Sequence, residues 1–124
     1  MISIVDDDEC VRESTAQLIR SLGYDAAAFA SAEEFLQSGQ VRNTACLITD
    51  VQMPGVSGVE LQRRLLADGH RVPIIFITAF PDERIRARVL GAGAIGFLSK
   101  PYHEESLIGC LGAALKASGE GATV

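Results

Sequence analysis

The chain has 124 residues and a mass of 13.2 kDa, which is the size of a single domain. Hydrophobic residues make up 48% of it and charged residues 22%, so the chain can bury a core and general disorder is excluded. Eleven lysines and arginines against sixteen aspartates and glutamates give a net charge of −5, which argues against a basic surface for DNA or RNA within this chain.

Short apolar runs and amphipathic segments alternate five times along the chain. Strands are predicted at residues 2–5, 24–29, 45–49, 72–78 and 95–98. The first predicted helix ends at Gly23, and the fifth runs from Glu104 to about Lys116. The other three helices have start signals, namely two capping boxes (Ser31 with Glu34, Ser57 with Glu60) and the pair Pro81 and Asp82.

This alternation predicts an α/β fold with a (βα)5 arrangement, a doubly wound five-stranded parallel sheet. We assign residues 1–117 to this domain. Residues 118–124 have no periodic pattern and are interpreted as a C-terminal tail or the start of a linker.

The sequence shows no signal peptide, membrane span or disulfide framework. Its longest apolar run, residues 72–80, is too short to cross a bilayer. The three cysteines are odd in number and lack paired spacing. We therefore predict a cytoplasmic protein with buried, inert thiols and no membrane partner.

Polar residues lie at the carboxyl ends of four predicted strands. Asp6 and Asp7 follow the first strand, Asp50 the third and Lys100 the fifth, and Thr78 ends the fourth. These ends meet at one edge of a parallel sheet, so the side chains are expected to face one another. Neighbouring carboxylates repel, and Mg²⁺ relieves that repulsion because it takes oxygen ligands. With a lysine and a hydroxyl to hold an anion, the set predicts a phosphoryl-transfer site.

Four motifs in this order resemble the CheY-like receiver domain of bacterial response regulators. They are Ile-Val-Asp-Asp-Asp-Glu from residue 4, Ile-Thr-Asp-Val-Gln-Met-Pro-Gly-Val-Ser-Gly from residue 48, Ile-Thr-Ala from residue 77 and Gly-Phe-Leu-Ser-Lys-Pro from residue 96. The resemblance covers residues 2 to about 116 and implies the flavodoxin-like strand order 2-1-3-4-5. The stretch Ser-Ala-Glu-Glu-Phe-Leu from residue 31 is similar to the receivers of FixJ-like transcription factors.

The resemblance implies that Asp50 is the phosphoacceptor, which takes a phosphoryl group from the phosphohistidine of a sensor histidine kinase. It also implies an Mg²⁺ cofactor. Asp7 and Asp50 would bind the ion directly, Asp6 through water, and Gln52 through its backbone carbonyl. Such a chain is a phosphoacceptor that promotes its own phosphorylation and dephosphorylation, and not an enzyme with an external substrate.

Further roles follow from the same resemblance. Thr78, Lys100 and the Ala79 amide would hold the phosphoryl oxygens, and the peptide between Lys100 and Pro101 is often cis in this family. Phe97 matches the switch aromatic, which turns inward as Thr78 moves toward the phosphoryl group.

The phosphorylated form of such a domain acts through a surface of the fourth helix, fifth strand and fifth helix. A partner or a second copy binds there, so a homodimer is expected. Receivers of this type usually precede a DNA-binding domain, so DNA contact and transcription control are expected only through an effector domain outside this sequence. Gln52 and Phe80 occupy the positions that help set the phosphoryl lifetime, and we predict that Phe80 shields the group from water.

Two other functions were considered. A haloacid-dehalogenase-like phosphatase also uses an aspartyl phosphate, and residues 6–8 fit its D-x-D motif, but no aspartate follows Asp82 to complete its later acidic pair. A degenerate receiver would act only as an interaction module, against which the complete residue set argues. The glycines of residues 91–96 match G-x-G-x-x-G, yet they follow a predicted helix and precede a strand, the reverse of a dinucleotide site.

Overall fold

Five parallel strands form one sheet in the computed structural model, which describes residues 1–118. The strands are β1 (Ile2–Val5), β2 (Ala26–Phe29), β3 (Cys46–Asp50), β4 (Ile74–Thr78) and β5 (Gly96–Ser99). The helices are α1 (Glu9–Ser21), α2 (Ala32–Gln37), α3 (Gly58–Ala67), α4 (Glu83–Gly91) and α5 (Glu104–Ser118), with a short 3-10 helix at Val41–Asn43. Apart from residue 118, the predicted tail lies outside the described residues, so the boundary at residue 117 stays a prediction.

The order of the strands is β2-β1-β3-β4-β5, and all four pairings are parallel. The predicted fold class is therefore confirmed. Strand β2 begins two residues later than predicted, because the Tyr24 amide donates to the Ile19 carbonyl and so belongs to the end of α1. The order α4, glycines, β5 also agrees with the prediction that residues 91–96 are not a dinucleotide-binding turn.

Alternating side chains of the sheet divide the core into two apolar clusters. On one face, Leu47 and Phe76 pack with buried residues of α2, α3 and α4, and we call this the α2–α3–α4 cluster. On the other face, Ile48 and Ile75 pack with α1 and α5 in the α1–α5 cluster. Because β3 and β4 are buried along their whole length, the sheet is covered on both sides as predicted.

Both predicted capping boxes are half formed. The hydroxyls of Ser31 and Ser57 accept hydrogen bonds from the amides of Glu34 and Glu60, at 3.0 and 3.2 Å. The carboxylate of Glu60, however, binds the guanidinium of Arg63, with 2.9 Å between Oε2 and Nε. Glu60 therefore binds an arginine one turn further along the helix, and not the backbone amide of Ser57 as in a complete capping box.

The cysteines are free and differ in burial. Cys46 is fully buried, and burial raises the pKa of its thiol to about 12, so it is inert as predicted. Cys10 is exposed on α1, where the prediction of a buried thiol was wrong, because it lies on the outer face of an amphipathic helix. Among the described residues, no helix is both long enough and apolar enough to cross a membrane.

Candidate functional site

Four strands bring their polar residues to one edge of the sheet. Asp50 is the last residue of the central strand β3, and Thr78 is the last residue of β4 beside it. Asp6 follows β1 on the other side of Asp50, and Lys100 follows β5. The sequence-based prediction that these residues converge is met, because parallel strands all end at the same edge.

The ammonium group of Lys100 joins two carboxylates. Its Nζ lies 2.8 Å from Oδ2 of Asp50 and 3.0 Å from Oδ2 of Asp6. The three side chains are 14%, 8% and 4% exposed, in the order Lys100, Asp50 and Asp6. Because these side chains are largely buried, water screens the two ion pairs of Lys100 weakly. Each ion pair is therefore stronger than one at the surface.

Backbone amides fix the second oxygen of each buried carboxylate. Oδ1 of Asp6 accepts from the Asp8 amide at 2.9 Å, and Oδ1 of Asp50 accepts from the Gln52 amide at 3.2 Å. The guanidinium of Arg12 on α1 also donates to the backbone carbonyl of Asp6 at 2.8 Å. Both carboxylates are thus held in place by their own loops, and Arg12 adds support from the neighbouring helix.

The charges of the site affect the protonation of its members. Burial raises the pKa of Asp6, and the negative charge of Asp50 adds to this, although the Asp8 amide and Lys100 act against it. Burial also opposes the charge on Lys100, but its bonds to Asp50 and Asp6 outweigh that effect and raise its pKa. Lys100 therefore stays a cation and is ready to bind an anion.

Asp7 completes a set of oxygen ligands with the two buried carboxylates. One carboxylate oxygen from each of Asp6, Asp7 and Asp50 lies within 4.8 Å of the others. Three carboxylates and the Lys100 ammonium leave two negative charges, which one divalent cation balances. Asp7 is exposed and so opens the cluster to solvent, which suits Mg²⁺ because that ion keeps several waters. The residues present therefore fit the predicted ion.

Asp8 does not join this set. Its Oδ1 accepts from the amides of Cys10 and Val11 at 2.9 and 3.3 Å, which makes it the N-cap of α1. The third aspartate of the run thus stabilises the helix that follows, whereas the first two face the cluster.

Thr78 and Lys100 are linked through the backbone. The Lys100 amide donates to the Thr78 carbonyl at 2.8 Å, and the Thr78 hydroxyl accepts from the Phe80 amide at 3.0 Å. Thr78 is 1% exposed, whereas Ala79, the next residue, is exposed. The Ala79 amide lies one residue before the Phe80 amide that bonds to Thr78. The Phe80 side chain is 69% exposed. The Lys100–Pro101 peptide is cis, as the resemblance implied.

Phe97 lies on β5, opposite Phe76 of β4. Its side chain is half-buried and packs against the α2–α3–α4 cluster. It also lines a surface pocket with Asp82 and Arg86 at the start of α4. That location agrees with the predicted switch role without testing it.

Gly58 supports the end of β3, where Asp50 lies, in a way that the sequence did not reveal. It is the first residue of α3, and its amide donates to the Val51 carbonyl at 2.9 Å. A Cβ atom at this position would lie closer to the Asp50 carbonyl oxygen than van der Waals contact allows, and 3.2 Å from the Val51 Cα atom. Only the absence of a side chain lets α3 begin this close to Asp50.

Comparisons with known proteins point to one family. The family model of the response regulator receiver domain matches residues 2–111. The chain is 42% identical over 116 residues to the response regulator protein TodT of Pseudomonas putida. The aligned region covers 94% of this chain and 51% of that protein. It is 37% identical to the transcriptional regulatory protein FixJ of Azorhizobium caulinodans, covering 96% of this chain and 56% of that protein.

Solved structures agree with these relatives. The response regulator StyR has a TM-score of 0.89 at 40% identity, covering 96% of this chain and 60% of that chain. The crystal structure of FixJ-N has a TM-score of 0.82 at 34% identity, covering 93% and 92%. The chain spans about half the length of the curated relatives it matches.

Proposed function

The chain belongs to the response regulator receiver family, and on that premise we propose that Asp50 accepts a phosphoryl group from the phosphohistidine of a sensor histidine kinase. One observation carries this proposal. Asp50 lies at the centre of the sheet edge, 2.8 Å from Lys100 and within 4.8 Å of the Asp6 and Asp7 oxygens. This arrangement places a nucleophile between a cation and a set of metal ligands.

In the transfer, a carboxylate oxygen of Asp50 forms a bond to phosphorus as the bond from phosphorus to the kinase histidine breaks. Lys100 then exchanges its Asp50 carboxylate partner for a phosphoryl oxygen, and Thr78 and the Ala79 amide donate to the other oxygens. When bound, Mg²⁺ supplies positive charge that offsets the phosphoryl oxygens. Asp6, Asp7, Asp50 and the Gln52 carbonyl would hold it.

The output is proposed to run through the surface of α4, β5 and α5. Thr78 moves toward the phosphoryl group, and Phe97 turns into the space that this movement opens. The altered surface then binds a second copy of the chain, so phosphorylation favours a homodimer. The relatives FixJ and TdiR are transcriptional regulatory proteins, and we propose a transcriptional output through DNA contacts made outside the described residues.

The kinase is proposed to dock beside α1, where a groove borders the site. Lys100, Pro101 and Tyr102 form one side of this groove, and residues of α1 form the other. The Tyr102 hydroxyl lies 2.8 Å from the hydroxyl of Thr15 and so joins the two sides. Thr15 is 1% exposed, so its proposed part in kinase choice is to hold Tyr102 at this groove.

The test is to incubate the chain with acetyl phosphate, with Mg²⁺ or with EDTA, and to measure the intact mass. We expect one phosphoryl group per chain with Mg²⁺ and almost none with EDTA, because the carboxylate cluster keeps its unbalanced charge and repels the donor. Hydroxylamine should remove the group, as it does from an acyl phosphate. Equal labelling with EDTA, or a label that resists hydroxylamine, would contradict the proposal. No label at all would favour the degenerate receiver.

Phe80→Glu is expected to shorten the lifetime of the phosphoryl group several-fold. The Phe80 amide is bonded to the Thr78 hydroxyl, so we expect the apolar side chain of this residue to shield the group from water, whereas a carboxylate would attract and orient water. The measurement is loss of label over time after removal of the donor. Phe80→Leu keeps an apolar side chain and should behave almost like the unaltered chain. An equal or slower loss in Phe80→Glu would refute the shielding.

A further inference from the structure

Helix α4 is held to the domain mainly near its C-terminal end. Val89 is its single fully buried residue, and Ile85 is half-buried. By contrast, α3 beside it buries Gly58, Leu61, Gln62 and Leu65. Few buried contacts give a segment low local stability, so α4 is the helix that can move at the least cost.

Gln62 of α3 forms a bond to the buried end of α4. Its side chain is buried at 4% exposure, and its Nε2 donates to the Val89 backbone carbonyl at 3.1 Å. The same carbonyl accepts the Ala94 amide at 2.9 Å, where the chain leaves α4. If this end of α4 moved away, the Gln62 amide would remain buried without a partner, which is unfavourable. The bond therefore fixes the end of α4 to α3.

The N-terminal end of α4 has no comparable attachment. Oδ1 of Asp82 accepts from the Arg84 and Ile85 amides and so caps its own helix. The ion pair of Glu83 with Arg86 also lies within α4. Within residues 1–118, no side-chain hydrogen bond or ion pair connects residues 82–88 to another element.

This free end is the one next to the site. Residues 79–82 connect Thr78 to α4, and the Phe80 amide is bonded to the Thr78 hydroxyl. A movement of Thr78 therefore reaches the end of α4 that, within residues 1–118, only the packing of Ile85 holds to the rest of the domain. We propose that α4 moves as a lever whose pivot is the Gln62–Val89 bond, which makes Gln62 a positioning residue for the switch. The pivot rests on the structure alone, and its use as a switch rests on the proposed function.

Hydrogen exchange without any ligand tests the pivot. Gln62→Met keeps the length of the side chain and removes the donor. We expect exchange of the amides of residues 89–94 to rise about fivefold, the effect of losing one hydrogen bond, with little change in α1 and α5. Gln37→Met makes the same chemical change at an exposed position of α2 and should leave α4 unchanged.

Two results would overturn the pivot. One is unchanged exchange in residues 89–94 of Gln62→Met, because the bond would then hold nothing. The other is an equal rise in every helix, because Gln62 would then act only on the stability of the whole domain.

A second set of measurements, with Mg²⁺ and beryllofluoride as the phosphoryl mimic, tests the use of the lever. In the unaltered chain we expect exchange to change at residues 79–86 and little at residues 89–94. In Gln62→Met the change should extend to residues 89–94, because the pivot is gone. A change of equal size at both ends of α4 in the unaltered chain would refute the lever. No change anywhere would refute the proposed function, while the ligand-free result would still decide the pivot.

Discussion

Asp50→Asn is expected to take up no phosphoryl group from acetyl phosphate under conditions that label the unaltered chain fully. An amide lacks the carboxylate oxygen that attacks phosphorus. Asp6 is a poor substitute, because it follows β1, and β3 lies between that strand and Thr78 at the end of β4. The loss should be close to complete, since Asp50 alone of the three carboxylates lies on the strand that is paired with β4, which ends at Thr78.

The variant should still fold, because Lys100 keeps its ion pair with Asp6. Intact mass gives the extent of labelling, peptide mapping gives the position, and a thermal melt confirms the fold. Asp68→Asn makes the same change at an exposed residue at the end of α3 and should label normally. Full labelling of Asp50→Asn, or a label mapped to Asp6 or Asp7 in the unaltered chain, would remove Asp50 from its proposed role.

Gly58→Ala is expected to destabilise the domain by about 2 kcal/mol, the typical effect of overpacking a filled site. The added methyl group would collide with the Asp50 carbonyl oxygen and crowd the Val51 Cα atom. These are backbone atoms, so relief requires α3 or the end of β3 to shift. For a domain of this size the melting temperature should fall by roughly 8 °C, and labelling at Asp50 should slow because its strand end has moved.

Gly112→Ala is the matched control for this effect. Gly112 lies within α5, and a Cβ atom there would meet nothing within 4 Å. Alanine is the better helix former by about 1 kcal/mol, so this variant should be slightly more stable than the unaltered chain. A Gly58→Ala protein that melts at the same temperature would show that the close approach of α3 to Asp50 is easily relaxed.

The sequence predicted most of the fold because its strands and helices carry strong periodic signals. Strand β4 reads as an uninterrupted apolar run, and it is indeed buried on both faces. The start of β2 was less clear, since Tyr24 and Asp25 have no property that separates a strand from the end of a helix. That boundary depends on the bond from the Tyr24 amide to Ile19, which a sequence does not show.

Some features of the candidate site could be predicted from the sequence, and others could not. Asp6, Asp50, Thr78 and Lys100 could be predicted to meet, because topology alone brings strand ends together. The support of Asp6 by Arg12 and the bond from Gln62 to Val89 could not be predicted, because they depend on tertiary distances between elements. Gly58 ends the motif that begins at residue 48, but only the structure shows that the missing side chain lets α3 begin close to Asp50.

The division of the core by the sheet has a practical consequence for anyone building a biosensor on this scaffold. Val89 and Phe97 belong to or touch the α2–α3–α4 cluster, whereas the α1–α5 cluster contains neither. Ile2 and Cys46 begin β1 and β3 within that second cluster, at the sheet edge opposite the site, so substitutions there can be selected for heat tolerance. The response of the sensor can be tuned at other positions, around Val89 and Phe97 on the opposite face of the sheet, so stability and response can be varied in separate libraries.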